Sequence, residues 1–164
     1  MSKKINTKSL VTKIEKMTKS RMASQPVVNL SDFRDSKKKS GPKTLLIIED
    51  DESMRAALQR IFRADGYLLK IAADATELAK VLDDSPVDLI LLDVGLPWIN
   101  GIELAQLLKE HQDLKDLPLV FVSGSASEEE VKHAFSIGAD DFIRKPFDVD
   151  HLRKSIATLL EMND

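Results

Sequence analysis

The sequence predicts an α/β domain built on a doubly wound, five-stranded parallel sheet, and two observations carry that prediction. From Thr44 onward, short apolar runs alternate five times with stretches of helical apolar spacing. Such alternation is typical of a parallel sheet with right-handed crossovers and helices on both faces. In addition, Leu89 to Leu92 are four consecutive apolar residues, as expected of a central strand buried on both sides.

The five predicted strands are short apolar runs that end at polar, glycine or proline residues. In chain order they are Thr44–Ile48, Tyr67–Ile71, Val87–Leu92, Leu119–Val122 and Asp141–Arg144. The first, third and fourth runs are almost entirely apolar, which favours burial of both their faces. The residues that follow each run mark where the chain leaves the sheet.

The helices between and after these strands are predicted from apolar spacing and from residues that favour helix ends. The first helix stops at Asp65–Gly66 and has four apolar residues on one face, Met54, Leu58, Ile61 and Phe62. Capping residues predict where the other four helices begin: Asp74 with Glu77, Asn100 with Glu103, Ser127 with Glu130, and Asp148. We expect these four helices to end near Leu82, Glu110, Gly138 and Glu161.

Composition excludes several classes of function. The chain has no cysteine, so neither disulfides nor thiolate chemistry is available to it. No apolar run approaches the roughly 20 residues that a membrane-spanning helix needs. The N-terminus is basic, but no continuous apolar segment follows it as a secretory signal would require. We therefore expect a cytoplasmic globular protein.

Charge divides the chain into an N-terminal extension and a domain. Residues 1–43 hold twelve Lys or Arg against three acids, a balance of +9, whereas residues 44–164 hold twelve against twenty-four, a balance of −12. Apolar spacing predicts a short basic amphipathic helix over residues 8–22, which alone would be marginal in water. We expect the extension to be disordered, or to dock on a partner protein or an anionic membrane surface. Phe33 is its only aromatic residue, which does not favour nucleic-acid binding by base stacking.

Acidic residues follow two strands that should be neighbours in the sheet. In a doubly wound sheet of strand order 2-1-3-4-5, the carboxyl ends of strands 1 and 3 lie side by side. Glu49 and Asp50 should therefore come close to Asp93. Three neighbouring carboxylates repel one another unless a cation relieves them, and hard oxygen ligands suit Mg²⁺. The alternative, a solvated acidic loop, accounts for Asp51 and Glu52 but poorly for an acid that ends a buried strand.

Ser123 and Lys145 are predicted to reach the same edge of the sheet from strands 4 and 5. The Lys145–Pro146 bond is a candidate for the cis form, which would aim the lysine at the acidic group. An ammonium beside carboxylates neutralises their charge and can hold a transferred phosphoryl oxygen. Each residue alone fits a surface salt bridge or a turn. Together, the residues at four strand ends favour one shared site.

From Thr44 to the C-terminus the sequence resembles the receiver domains of bacterial two-component response regulators, the CheY-like family. The matching features are Glu49–Asp50, Asp93 with Pro97 and Gly101, Ser123–Gly124, Phe142, and Lys145–Pro146–Phe147. The resemblance implies a flavodoxin-like or CheY-like fold for residues 44–164, with the site at the carboxyl ends of the strands.

The resemblance also implies a function in phosphorelay signalling. Asp93 would accept a phosphoryl group from a histidine kinase or a histidine phosphotransfer protein, with Lys145 neutralising charge in a loose transition state. The ligands of Mg²⁺ would be Glu49, Asp50, Asp93 and the carbonyl of Gly95. Ser123 would then bond the phosphoryl group and Phe142 would rotate inward, which biases the face formed by helix 4, strand 5 and helix 5. Plain strand packing is the alternative role for Phe142.

No output domain follows residue 161, so we expect a single-domain regulator that acts on a downstream protein target and is not a metabolic enzyme. The alternative is a phosphorylation-independent binding module that uses residues 1–43 to dock. Phosphatases of the haloacid-dehalogenase type carry a second acid where this chain has Gly95, and glycine-rich nucleotide-binding motifs are absent. Gly95 and Gly124 also predict open access to Asp93, and hence a short-lived phosphoaspartate.

Overall fold

The structure is a computed structural model that describes residues 41–84 and 86–163. Its strands are β1 (Thr44–Ile48), β2 (Leu68–Ala72), β3 (Leu89–Leu92), β4 (Leu119–Ser123) and β5 (Asp141–Arg144). Its helices are α1 (Glu52–Ala64), α2 (Ala75–Asp84), α3 (Gly101–Glu110), α4 (Glu128–Ser136) and α5 (Val149–Met162). The strands are parallel and form one sheet in the order β2-β1-β3-β4-β5. The predicted fold class and strand order are confirmed.

Two apolar clusters cover the two faces of the sheet. On one face α1 and α5 contribute Leu58, Phe62, Leu152, Ile156 and Leu160. On the other face α2, α3 and α4 contribute Leu78, Leu104, Leu108 and Ala134. Side chains alternate along a strand, so β3 supplies Leu89 and Leu91 to the first cluster and Ile90 and Leu92 to the second. Because β3 is packed on both sides, the residue that follows it is held firmly in place.

The predicted caps of α3, α4 and α5 are confirmed. The Asn100 side chain accepts from the backbone N–H groups of Ile102 and Glu103, and Asp148 caps α5 in the same way. Ser127 and Glu130 form a reciprocal capping box at α4. Asp51 and Glu52, interpreted above as a solvated acidic loop, are exposed but begin α1 instead. Asp51 Oδ1 accepts from Met54 N at 3.0 Å, which satisfies one free N–H of that helix.

Several predicted boundaries differ slightly from the structure, among them the start of β3, which is Leu89 and not Val87. α4 ends at Ser136, not near Gly138, because the chain turns at Gly138 with a φ of +107°. β2 begins at Leu68, one residue later than predicted, and pairs with β1 from Thr44 onward. Asp74 accepts from Glu77 N as expected, but the Glu77 carboxylate reaches Ala73 N at 2.7 Å.

The predicted amphipathic helix at residues 8–22 lies outside the described residues, as does nearly all of the basic extension. Within the residues that the structure describes, we find no helix that is both long enough and apolar enough to cross a membrane.

Candidate functional site

Pairing of β1 with β3 brings three carboxylates together at one edge of the sheet. Ile48 lies opposite Leu92, and the Asp93 N–H donates to the carbonyl of Ile48 at 3.1 Å. Each of the next acids, Glu49, Asp50 and Asp93, places one carboxylate oxygen within 4.8 Å of the other two. Glu49 is 2% exposed and Asp93 is 9% exposed, whereas Asp50 faces solvent. The predicted acidic group therefore forms, with two members buried.

Lys145 supplies positive charge to this group. Its Nζ donates to Glu49 Oε2 at 3.1 Å and lies 3.6 Å from Asp93 Oδ2. The backbone positions it, since the Lys145 N–H donates to the carbonyl of Ser123 at 2.9 Å where β4 and β5 end. The Lys145–Pro146 bond is cis, one of the two forms left open by the sequence. The lysine thus contacts both buried carboxylates.

The single ammonium of Lys145 does not fully balance the negative charge of the two buried carboxylates. Burial, and next the negative charge of Asp93, raise the pKa of Glu49 from 4.5 to about 7, although Lys145 opposes both effects. A pKa of about 7 means that Glu49 is part-protonated near neutral pH. A divalent cation would relieve this excess of negative charge, and a set of carboxylate oxygens without nitrogen or sulfur suits Mg²⁺. The residues present therefore fit the predicted metal.

The loop after β3 is closed by Gly101. The Gly101 N–H donates to the carbonyl of Val94 at 2.8 Å. A Cβ atom at this position would overlap the carbonyl oxygen of Asp93 and lie only 2.6 Å from the Cα of Val94. Only glycine allows the backbone to approach so closely. The same loop orients Asp93, because the Gly95 N–H donates to its Oδ1 at 3.1 Å.

Gly95 and Gly124, unlike Gly101, are not required by the backbone. A Cβ at Gly95 would lie 3.9 Å from both Asp93 Oδ1 and the Oγ of Ser125, which is ordinary van der Waals contact. A Cβ at Gly124 would lie 3.7 Å from the Cβ of Lys145. Both positions have room for a side chain next to the site. Their lack of one leaves Asp93 and Lys145 uncovered there.

Ser123 and Phe142 lie on the neighbouring strands β4 and β5, where Ser123 pairs with Arg144 and Phe142 pairs with Phe121. Ser123 is 1% exposed, and its hydroxyl has no hydrogen-bond partner among the residues that the structure describes. A buried polar group in that state costs about 1–3 kcal/mol. Phe142 is half-buried, with its ring centroid 5.5 Å from that of Phe121. Ser123 therefore has a free hydrogen-bonding capacity, while the packing of Phe142 is compatible with either predicted role.

Arg55 also belongs to the site, although no motif in the sequence indicates it. Its Nη1 donates to the carbonyls of Asp50 at 2.8 Å and Glu49 at 3.2 Å. The loop that carries two of the acids is thereby tied to α1. The position of Arg55 in the first turn of a helix that begins beside the acids was the available signal. Spacing alone could not indicate that the side chain folds back over the loop.

Comparison with known proteins agrees with these features. The sequence model of one protein family, the response regulator receiver domain, matches residues 45–157 of this chain. The aerobic respiration control protein ArcA of Escherichia coli K12 is 35% identical over 116 residues, which are 71% of this chain and 48% of ArcA. The regulator TorR of Escherichia coli O157:H7 is 32% identical over 119 residues, 73% of this chain and 50% of TorR. The chain thus spans about half the length of these curated relatives.

Solved structures give the same result. The receiver domain of TorR is 31% identical, with a TM-score of 0.69 over 75% of this chain and 100% of that domain. A CheY-like receiver domain from Methanospirillum hungatei JF-1 is 32% identical, with a TM-score of 0.67 over 74% of this chain and 96% of that structure. With its five-stranded sheet and its match to the family over residues 45–157, this chain belongs to the family of response regulator receiver domains.

Proposed function

We propose that this chain is a response regulator that accepts a phosphoryl group on Asp93 from a histidine kinase or a histidine phosphotransfer protein. The observation that carries the proposal is the placement of Lys145 Nζ at 3.1 Å from Glu49 and 3.6 Å from Asp93 within one group of three carboxylates. A buried acid at the end of a rigid strand, beside an ammonium, is equipped to act as a nucleophile.

Asp93 is oriented for attack by its own loop. The Gly95 N–H holds Oδ1, and Oδ2 faces Lys145. An oxygen of Asp93 forms a bond to phosphorus while the phosphorus–nitrogen bond of the donor phosphohistidine breaks, and the imidazole leaves with the electron pair. Lys145 contributes positive charge to the phosphoryl oxygens in this transfer, so positioning and electrostatics supply the catalysis.

Mg²⁺ completes the site in this proposal. Glu49, Asp50 and Asp93 would hold the ion, and the carbonyl of Gly95 stays a predicted fourth ligand. When bound, the ion supplies the positive charge that stabilises the transferring phosphoryl oxygens. Arg55 has a structural role in this proposal and takes no part in the chemical step. It holds the carbonyls of Glu49 and Asp50, and so fixes the loop that carries these two acids after β1.

Signalling would follow from Ser123 and Phe142. The Ser123 hydroxyl, which lacks a partner in the described residues, would gain one in a phosphoryl oxygen on Asp93. Its movement leaves space into which the half-buried ring of Phe142 can turn. The face formed by α4, β5 and α5 would then change and contact a downstream protein target. A cytoplasmic location and a docking role for residues 1–43 belong to the same proposal.

The direct test is phosphorylation of the full chain by acetyl phosphate, with and without Mg²⁺. Intact-mass spectrometry should detect one acid-stable, hydroxylamine-sensitive phosphoryl group in the presence of Mg²⁺, and Asp93→Asn should abolish it. Asp51→Asn is the matched control, because Asp51 is a neighbouring acid that caps α1. If neither acetyl phosphate nor a phosphorylated histidine phosphotransfer protein modifies Asp93, the chain is better explained as a phosphorylation-independent binding module.

A further inference from the structure

One side chain on β5 contacts both parts that the proposed signal would move. The guanidinium of Arg144 donates from Nη1 to the carbonyl of Ala126 at 2.8 Å. It also lies 6.0 Å from the centroid of the Phe142 ring, within the range of a cation–π contact. Ala126 belongs to the loop that joins Ser123 to α4. Arg144 therefore bridges the loop after Ser123 and the ring of Phe142.

The sheet dictates this placement. Arg144 lies opposite Ser123 in the pairing of β4 with β5. Ile143 packs into the cluster with α1 and α5, whereas Phe142 packs against the cluster on the other face. Because successive side chains of a strand point to opposite faces, Arg144 shares the face of Phe142, next to the start of α4. Arg144 is an exposed residue, yet the hydrogen bond of its guanidinium ends on the buried residue Ala126.

We propose that Arg144 is a positioning residue that holds the β4–α4 loop and Phe142 in their resting arrangement, and so limits how readily Asp93 becomes phosphorylated. The inference rests on the proposed function above. Movement of the loop toward Asp93 takes the Ala126 carbonyl away from the guanidinium. Inward rotation of Phe142 takes the ring away from it as well. Arg144 therefore stabilises the resting arrangement through two contacts that are lost together.

The planar guanidinium is essential to this role. It can donate a hydrogen bond in its plane while an aromatic ring lies near its face, which a lysine ammonium does not reproduce. Removing the guanidinium should shift the equilibrium toward the phosphorylation-competent arrangement. We expect a shift of about fivefold, at the lower end of the range for coupling between two sites.

The test compares the full chain with three variants, each carrying 4-fluorophenylalanine at Phe142. Arg144→Ala removes both contacts, and Arg144→Lys keeps the charge without the planar group. Arg60→Ala removes an exposed arginine of α1 as the control for net charge. Fluorine NMR without any phosphodonor measures the fraction of ring turned inward, and acetyl phosphate with Mg²⁺ gives the initial rate of Asp93 phosphorylation.

The expected result is a rise of about fivefold in the inward fraction and in the phosphorylation rate for Arg144→Ala, an intermediate effect for Arg144→Lys, and none for Arg60→Ala. Equal spectra and rates for the Arg144 and Arg60 variants would overturn the inference. If Arg144→Ala does not fold, the inference is tested with Arg144→Lys alone, and a spectrum and rate equal to those of Arg60→Ala would again overturn it. If the wild-type chain never accepts a phosphoryl group, the proposed function is refuted. The role of Arg144 in holding Phe142 can still be tested, because the NMR measurement needs no phosphodonor.

Discussion

The buried carboxylate of Glu49 makes stability depend on pH in an unusual direction. Burial, followed by the charge of Asp93, raises its pKa from 4.5 to about 7 in the folded protein. Between these values the folded chain binds the proton more tightly than the unfolded chain does. The free energy of unfolding therefore falls as pH rises from about 4.5 to 7, and the loss persists above pH 7. At about 1.4 kcal/mol per pH unit, the full effect is about 3 kcal/mol.

Glu49→Gln isolates this effect because glutamine has nearly the same shape and does not titrate. We expect the variant to gain about 2–3 kcal/mol relative to wild type between pH 5 and pH 8, since only wild type has to ionise a buried acid. Urea unfolding in the presence of a chelator measures the difference. The emission of Trp98 is a suitable probe, because this single tryptophan is buried and its indole N–H donates to the carbonyl of Ala73.

Asp51→Asn is the matched control for the Glu49 experiment, because Asp51 is an exposed acid two residues away and asparagine has nearly its shape. The difference in free energy of unfolding between this variant and wild type should show no comparable dependence on pH. Addition of Mg²⁺ should restore stability to wild type more at pH 8 than at pH 5, because a proton competes with the cation for Glu49. A difference between Glu49→Gln and wild type that stays constant from pH 5 to pH 8 would refute the reasoning.

Three further predictions concern the backbone and the support of the site. Gly95→Glu should lengthen the phosphoaspartate half-life about fivefold by covering Asp93, and an unchanged half-life in a chase without donor would contradict the open-access prediction. Gly101→Ala should lower the free energy of unfolding by about 3 kcal/mol or more, measured in urea, because its Cβ meets backbone atoms. Arg55→Ala should weaken Mg²⁺ binding about tenfold in calorimetric titration, whereas Arg60→Ala should not, and equal affinities would exclude a supporting role for Arg55.

The sequence predicts those parts of the site whose positions depend on backbone topology alone. Alternating strands and helices predict a doubly wound parallel sheet, and in such a sheet of order 2-1-3-4-5 the ends of β1 and β3 come together whatever side chains follow. For this reason the proximity of Glu49, Asp50 and Asp93 could be predicted. The buried run of β3 also indicated which of the many acids lies on a rigid support.

Side-chain direction could not be predicted in the same way. Asp51 looked like one more solvated acid, but its carboxylate caps α1. Arg55 and Arg144 hydrogen-bond to backbone carbonyls, and backbone partners of this kind leave no charge pair or motif in the sequence that spacing could indicate. Sequence placed Lys145 near the acids, yet only the structure gives its closer contact with Glu49 than with Asp93. Contacts of this kind depend on rotamers and on loop paths, which tertiary packing determines.

Three features of the resting site are unfavourable in isolation, and cation binding followed by phosphorylation would relieve them. Glu49 is a buried acid with a raised pKa, the Ser123 hydroxyl lacks a partner within the described part of the chain, and Lys145 divides its charge between two carboxylates. A cation held by the acids would compensate Glu49 and leave Lys145 available to Asp93. A phosphoryl group on Asp93 would offer oxygens to both Lys145 and Ser123. Such stored costs are typical of switch sites, where the resting state is only modestly favoured and a single chemical change can reverse the balance.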